Sequence, residues 1–294
     1  KLPAGTSEEI HHGLAGLLNS SVACFWLKQV CHNKGSTVDQ HGARQRTAAF
    51  EDFYAFNSTK VAELPLVENQ PVELGTAIDA QAQQITTLLP AARLAADLPA
   101  SAPLPTRANL DSDRTQVAAL RRQMIALQEE LDWQCYRLYK LLPAGSSAQD
   151  FESPAPPEIA LGERAFEIVL ARRMAAGTET TTWFERHGST PITELPAHWP
   201  DDYRALVQRR IDLIERDRNI ALIERPEYKR RWNTPSWESL EHAALRDWLL
   251  ARLETARYWP RAEPNSSEAA PAQLISTAKL AELARQDADF MQVA

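Results

Sequence analysis

Between Arg114 and Leu142 apolar residues recur at steps of three and four: Val117, Leu120, Met124, Leu127, Leu131, Leu138 and Leu141. That spacing lays one face along an α-helix of roughly 29 residues, about 40 Å long at the helical rise. A helix of this length either crosses a domain boundary or pairs with a second long helix. The stripe fails at Gln134, with Cys135 beside it, and a polar interruption in the seam favours a strut within one molecule over a dimerising coil. Pro143-Ala144-Gly145-Ser146-Ser147 then ends the helix. The rest of the sequence has to be arranged around this rod.

Glycine is scarce in the 294 residues (10) and proline is not (19), with the prolines gathered between periodic stretches. Helices joined by stiff connectors fit that distribution better than a β-rich architecture. A composition of 44% hydrophobic and 24% charged residues is that of a folded protein. The net charge of −7 excludes a generally basic surface, so any nucleic-acid contact has to be a local patch. Three cysteines, Cys24, Cys31 and Cys135, without framework spacing point to a reducing cytoplasm. The longest apolar run, Val22 to Leu27, is too short for a bilayer, and no secretory leader is visible. Lys1-Leu2-Pro3 lacks an initiator methionine, and the last residues form a helical pattern without a stop, so a segment of a longer polypeptide is expected.

The expected fold is mainly α, with a long strut helix joining a small mixed N-terminal part to a helical C-terminal domain. The divisions fall at residues 1–68, 69–108, 109–143, 158–260 and 272–294. Thr6 and Glu9 form a capping-box pattern for one helix running through Val30, and Gly13 and Gly16 within it imply close approach of another element. His32 to Arg46 is a polar, basic loop, and Phe50 to Leu66 a short strand or turn pair. Glu73 to Ala96 is helical with an interruption at Pro90, and Pro99, Pro103 and Pro105 mark a linker. Further helices are expected over Ile159–Ala176, after Asp201 or Asp202 as cap, from Thr234-Pro235, and over Ala272–Val293, with a linker from Glu263 to Pro271.

No phosphate-binding glycine loop and no His-Glu-x-x-His helix is present. His11, His12, Cys24, Cys31 and His32 fit no zinc spacing and read as packing residues. Glu227-Tyr228-Lys229 is similar to the end of a nuclease motif but follows a helix without a strand pattern. Two basic stretches remain. Asn33, Lys34, Arg44 and Arg46 have the side chains used for base edges and phosphates, and could equally belong to a solvated loop. Arg225 with Lys229-Arg230-Arg231-Trp232 is a compact cluster that could sit on a phosphate backbone or pack on an acidic helix of the same protein. Trp183, Trp199, Trp232, Trp237, Trp248 and Trp259 are read as core anchors.

Three stretches carry a family resemblance. Gly13-Leu14-Ala15-Gly16-Leu17-Leu18-Asn19-Ser20-Ser21, continued through Phe25-Trp26 to Asn33-Lys34-Gly35, is the first, and Lys60 to Leu66 follows it. The second is Leu131-Asp132-Trp133-Gln134-Cys135-Tyr136-Arg137-Leu138-Tyr139-Lys140-Leu141, with Lys140 where glycine is usual. The third runs from Arg209-Arg210-Ile211 through Glu224 and Lys229 to Trp232, then Ala244 to Leu249. Together, and in this order, they resemble the region after the catalytic core of PglX-like adenine-specific DNA methyltransferases of phage-growth-limitation and BREX defence systems. The family's Asn-Pro-Pro-Tyr/Phe motif and its S-adenosylmethionine-binding glycine turn are absent. The resemblance therefore implies a recognition and spacer region with no catalytic residue and no metal, the cofactor belonging to a domain elsewhere in the parent. Implied partners are duplex DNA, that missing core and other defence proteins. The expected DNA-contact residues are Lys28, Asn33, Lys34, Arg44, Arg46, Lys60, Arg225, Lys229, Arg230 and Arg231. Asn19, Ser20, Asp132, Trp133, Tyr136 and Tyr139 are the expected structural residues. The alternative is a purely structural protein-interaction module.

Overall fold

The computed structural model describes residues 3–35, 48–95, 104–255, 257–259 and 275–294. Arg44, Arg46, Pro99, Pro103 and the expected 263–271 linker lie outside them. The first helix is two helices, α1 (Glu8–Asn19) and α2 (Ser21–Val30). Thr6 does not cap, because its hydroxyl donates to the Pro3 carbonyl at 2.7 Å, and Ser7 stands at the N-cap instead. The chain turns at Ser20, whose backbone is extended (φ −77°, ψ 155°) and whose Oγ accepts from the Ala23 amide at 3.2 Å. That hydroxyl is the new helix's cap, which periodicity alone does not reveal.

Strands β1 (His32–Gly35) and β2 (Phe53–Ala55) pair antiparallel, and a short α3 (Ser58–Ala62) follows. Helix α4 (Val72–Leu88) begins against α1 at a distance only glycine allows: a Cβ on Gly75 would lie 2.3 Å from the His12 carbonyl oxygen. On α1, a Cβ on Gly16 would lie 3.0 Å from Pro71 Cγ. The close approach expected from the α1 glycines is thus made by the chain entering α4. Leu89 breaks the helix as Pro90 opens α5 (Pro90–Arg93).

The rod is α6 (Arg107–Leu138), 32 residues long. It ends in a Schellman motif: the Leu141 amide donates to the Tyr136 carbonyl at 2.8 Å and the Lys140 amide to Arg137 at 2.9 Å. Lys140 takes the left-handed conformation (φ 57°) that this motif requires, which explains why glycine is the usual residue there.

After α7 (Ala148–Phe151), the helix expected from Ile159 starts only at Ala165 (α8, Ala165–Ala175). Gly162 (φ 98°) turns the preceding chain against the Thr190 carbonyl. A one-turn α9 (Trp183–His187) precedes α10 (Asp201–Arg216), where Asp201 and Asp202 occupy the first turn and Pro200 the cap position. Asp217 caps α11 (Arg218–Ile223). Helix α12 (Trp237–Leu253) is capped by Ser236 and not by Thr234. The last helix is broken at Gln286-Asp287 into α13 (Thr277–Arg285) and α14 (Ala288–Val293), with Asp287 capping the second.

These elements form two compact units, one from Lys1–Gln83 and Ala119–Asn233, the other from Gln84–Ala118 and Thr234–Ala294. The chain leaves the first unit and later returns to it, and α6 contributes to both. In the first unit α6 is buried on every face from Met124 to Tyr136 apart from Leu127 and Gln134. A second apolar cluster there joins Phe50, Phe166, Leu170, Trp183 and Phe184. In the second unit the buried apolar residues include Leu88, Leu94, Leu110, Val117 and Ala244. Trp183, Trp199 and Trp232 are core anchors as expected, whereas Trp237 and Trp248 are half-buried and Trp259 is exposed. No helix among the described residues is long and apolar enough to cross a membrane.

Candidate functional site

Ser21, Asp132, Tyr136, Glu224 and Lys229 bring parts of all three stretches singled out in sequence together on the first-unit half of α6, while Ala244 to Leu249 belongs to the second unit. Asp132 accepts from the Ser21 amide and the Ser21 hydroxyl, both at 2.7 Å, so its carboxylate sits at the start of α2. Asn19 offers its carbonyl to Gln128 at 3.1 Å. The Asn-Ser-Ser turn is therefore a helix break read by one helical aspartate. One turn further on, the Tyr136 hydroxyl donates to Glu224, and Tyr139 donates to the Pro65 carbonyl at 2.7 Å.

Lys229 closes this joint, and here the sequence expectation is corrected. Its ammonium is 1% exposed and lies 2.8 Å from Asp132, 3.0 Å from Glu224 and 3.4 Å from Glu129. It cannot contact a phosphate backbone; it packs on an acidic helix of the same protein, the other reading of that cluster. Burial alone would strip its proton, but Asp132, Glu129 and Glu224 hold its pKa well above the usual lysine range. Glu129 shows the opposite balance. Burial raises its carboxyl to about 7, against a smaller pull from Lys229, with Glu224 and Asp132 also raising it and Arg164 opposing.

Two further buried cations complete the pattern. Arg210 reaches Glu130 at 2.6 Å and the Phe151 carbonyl at 2.9 Å, with its guanidinium 5.2 Å from the Trp133 ring centroid. Arg164 pairs with Glu167 at 2.8 and 2.9 Å, and Glu167 also accepts from Trp183 Nε1 and the Gly162 amide. Sequence reading missed Glu129, Glu130, Arg164 and Arg210. The available signal was the run Glu129-Glu130-Leu131-Asp132, placed inside an apolar stripe where a solvated face would not be.

The remaining candidates lie around the two-stranded ribbon. The register steps from Asn33 opposite Tyr54 to Gly35 opposite Phe53, which leaves Lys34 as the extra residue of a β-bulge. Asn33 and Lys34 are exposed, and Asn33 bonds to Asp52 at 3.0 Å and to the Tyr54 hydroxyl at 3.3 Å. Lys28 lies 5.2 Å from the Tyr54 ring centroid and donates to the Glu227 carbonyl. Burial lowers its pKa, Cys24 opposes this, and Arg231 lowers it further. Phe53 and Phe56 are each 54% exposed on the same ribbon, with Phe56 stacked against Tyr54.

Several cations are already engaged: Lys60 with Glu63 and Arg225 with Glu227, each at 2.7 Å. Arg230 covers Trp232 at 4.6 Å and reaches Asn19 at 3.3 Å. Lys34 and Arg231 have no ion pair among the described residues and are exposed. The basic run 229–231 is thus split by direction, with Lys229 inward, Arg230 along the surface and Arg231 outward.

Helices joined by buried ion pairs and one small bulged ribbon make up the described residues. The strands among the described residues form one antiparallel pair and offer no glycine turn into a helix. They do not fit S-adenosylmethionine. Residues 124–294 match the family described as "Domain of unknown function (DUF7008)", which is more than half of the chain, and the chain belongs to that family. It is also 48% identical over 296 aligned positions to the adenine-specific methyltransferase PglX of Streptomyces coelicolor, which bears out the resemblance. The match covers 100% of this chain and 24% of that protein, so the chain spans about a quarter of its relative's length. No solved structure matches.

Proposed function

We propose that this chain is the recognition and spacer region of an adenine-specific DNA methyltransferase of an anti-phage defence system, and that its ribbon contacts duplex DNA. The parent would transfer a methyl group to adenine N6 with a core and cofactor site outside this chain. The observation that carries the DNA reading is the bulged ribbon, which presents Asn33 and Lys34 with two exposed phenylalanines, next to Lys28, whose charge is in turn felt by the exposed Arg231. A major groove admits a two-stranded ribbon, and bulges redirect side chains at such places. Against a net charge of −7 the contact has to be short-ranged, which suits a few uncompensated cations.

The test is binding of labelled duplex DNA to the 294-residue chain across a salt series. Each phosphate contact contributes about −0.9 to the slope of log K against log salt. Replacing Lys34 and Arg231 by alanine should therefore flatten the slope by roughly 2. Absence of duplex binding at every salt concentration, with retained binding to the methyltransferase core, would sink the DNA reading in favour of an interaction module.

A further inference from the structure

The buried joint on α6 gathers more negative charge than its cation balances. Glu129, Asp132 and Glu224 all face the Lys229 ammonium. Around them Arg164 is bound by Glu167, Arg210 and Tyr203 turn to Glu130, and the Tyr136 hydroxyl is taken by Glu224. One ammonium does not balance three ionised carboxylates out of water, and like charges sharing a buried site resist ionisation until one keeps its proton.

The donors identify which one. Asp132 accepts from the Ser21 amide, the Ser21 hydroxyl and Lys229, and its place at the start of α2 favours the anion. Glu224 Oε1 accepts from Tyr136 and Lys229. Glu224 Oε2 and both oxygens of Glu129 accept no hydrogen bond among the described residues, and Lys229 stands 3.4 Å from Glu129 Oε1 as an ion pair only. Buried carboxylate oxygens without a donor are unfavourable. A hydroxyl on Glu129 supplies the donor that Glu224 Oε2 lacks and removes one uncompensated charge.

We propose that Glu129 is a carboxylic acid in the closed joint, that its hydroxyl donates to Glu224 Oε2, and that loss of this proton releases residues 224–232 from α6 and α2. Those residues seat α2: Lys28 donates to the Glu227 carbonyl, Tyr228 meets Phe25 edge-on at 5.0 Å between ring centroids, and Arg230 reaches Asn19 at 3.3 Å. Once ionised, Glu129 and Glu224 repel across one lysine, and separating their elements relieves the repulsion. Burial raises the Glu129 carboxyl to about 7 from 4.5, so the closed joint holds the proton between those values. Opening therefore grows as pH rises through that window and levels off above it.

Infrared spectra and hydrogen exchange of the 294-residue chain test the switch. A protonated-carboxyl band is expected at about pH 6, where ordinary glutamates are ionised. It should fade near pH 7 and be missing from Glu129→Gln. Opening of residues 224–232, corrected for intrinsic exchange, should rise about tenfold per pH unit up to about 7. In Glu129→Gln, whose amide still donates to Glu224, it should be flat. The spectrum of the parent chain alone decides the first point, whatever the variant does. No such band at about pH 6, a band unchanged in Glu129→Gln, or the same pH dependence of exchange in both chains overturns the proposal.

Discussion

One helix, α6, serves two units that differ in whether the cations facing its acidic residues are buried with them. In the first unit its acidic residues are sealed in. Glu130 pairs with Arg210 at 2% and 1% exposure, and Lys229 with its carboxylates at no more than 2%. In the second, the cations keep contact with water even where the carboxylate is buried: Arg93 is 42% exposed against Asp113 at 4%, Arg107 62% against Glu241 at 12%, and Arg114 with Glu238 54% and 63%. Surface pairs contribute little, because water and salt already solvate both ions. Buried pairs contribute little net energy as wholes, yet removing one member leaves an ion with neither water nor partner. The contrast separates charge that fixes a geometry from charge that decorates one.

The strongest way to break the comparison is Lys229→Met, which strands Asp132, Glu224 and Glu129 together. A loss of about 3–5 kcal/mol is expected from the urea midpoint of the first unit. A loss below about 1 kcal/mol would mean that the cluster is solvated like the second unit's pairs.

Acidity sharpens it next. Glu129 holds its proton up to about pH 7 in the fold and releases it near 4.5 when unfolded. The folded state therefore binds the extra proton between those values, and first-unit stability falls as pH rises through that window. The change is on the order of 2–3 kcal/mol, and Glu129→Gln should flatten it. In the second unit Asp287 is held below the usual carboxylate range by Arg252, against a smaller effect of burial, with further help from Tyr258. Its contribution is present above the ordinary aspartate pKa and fades as pH falls through the lowered one. Stability against pH, followed separately in each unit, should slope in opposite directions.

Smaller effects come last. Lys140→Gly relieves the left-handed residue at the end of α6 and should raise stability by about 0.5–1 kcal/mol in thermal unfolding. Arg114→Ala in the second unit should change stability by less than about 0.5 kcal/mol, the control against which the first-unit losses are measured.

The long helix, the break at Pro90 and the glycine contact were legible because each is a local rule of spacing or sterics, whereas the helix stops at Leu138, before the expected Pro143, because Lys140 turns left-handed there. The three stretches with a family resemblance were legible as sequence, and their convergence on Asp132 and Tyr136 was not. Asp132 meets Ser21 across 111 residues and Lys229 across 97, and no local pattern reports partners so far apart. For the same reason Lys229, Arg230 and Arg231 looked alike in a row, although one is buried, one half-buried and one exposed. Helix starts failed where two hydroxyls competed, as with Thr234 and Ser236, since which one caps depends on where the backbone turns. Interleaving of the units was also out of reach, because a proline-rich connector shows where the chain leaves a body and not whether it comes back.

That return has a consequence during synthesis. Ser21 leaves the ribosome 111 residues ahead of the aspartate that grips it, a wait of about 6–22 s at ordinary translation rates. Asp132 then waits about 5–19 s more for Lys229, 97 residues later. Until the lysine arrives, three carboxylates have no reason to leave water, and the first unit stays open however complete its helices are. Lys229 therefore acts as a late latch, and a nascent chain stalled before it would present α1, α2 and half of α6 unsealed to chaperones and proteases.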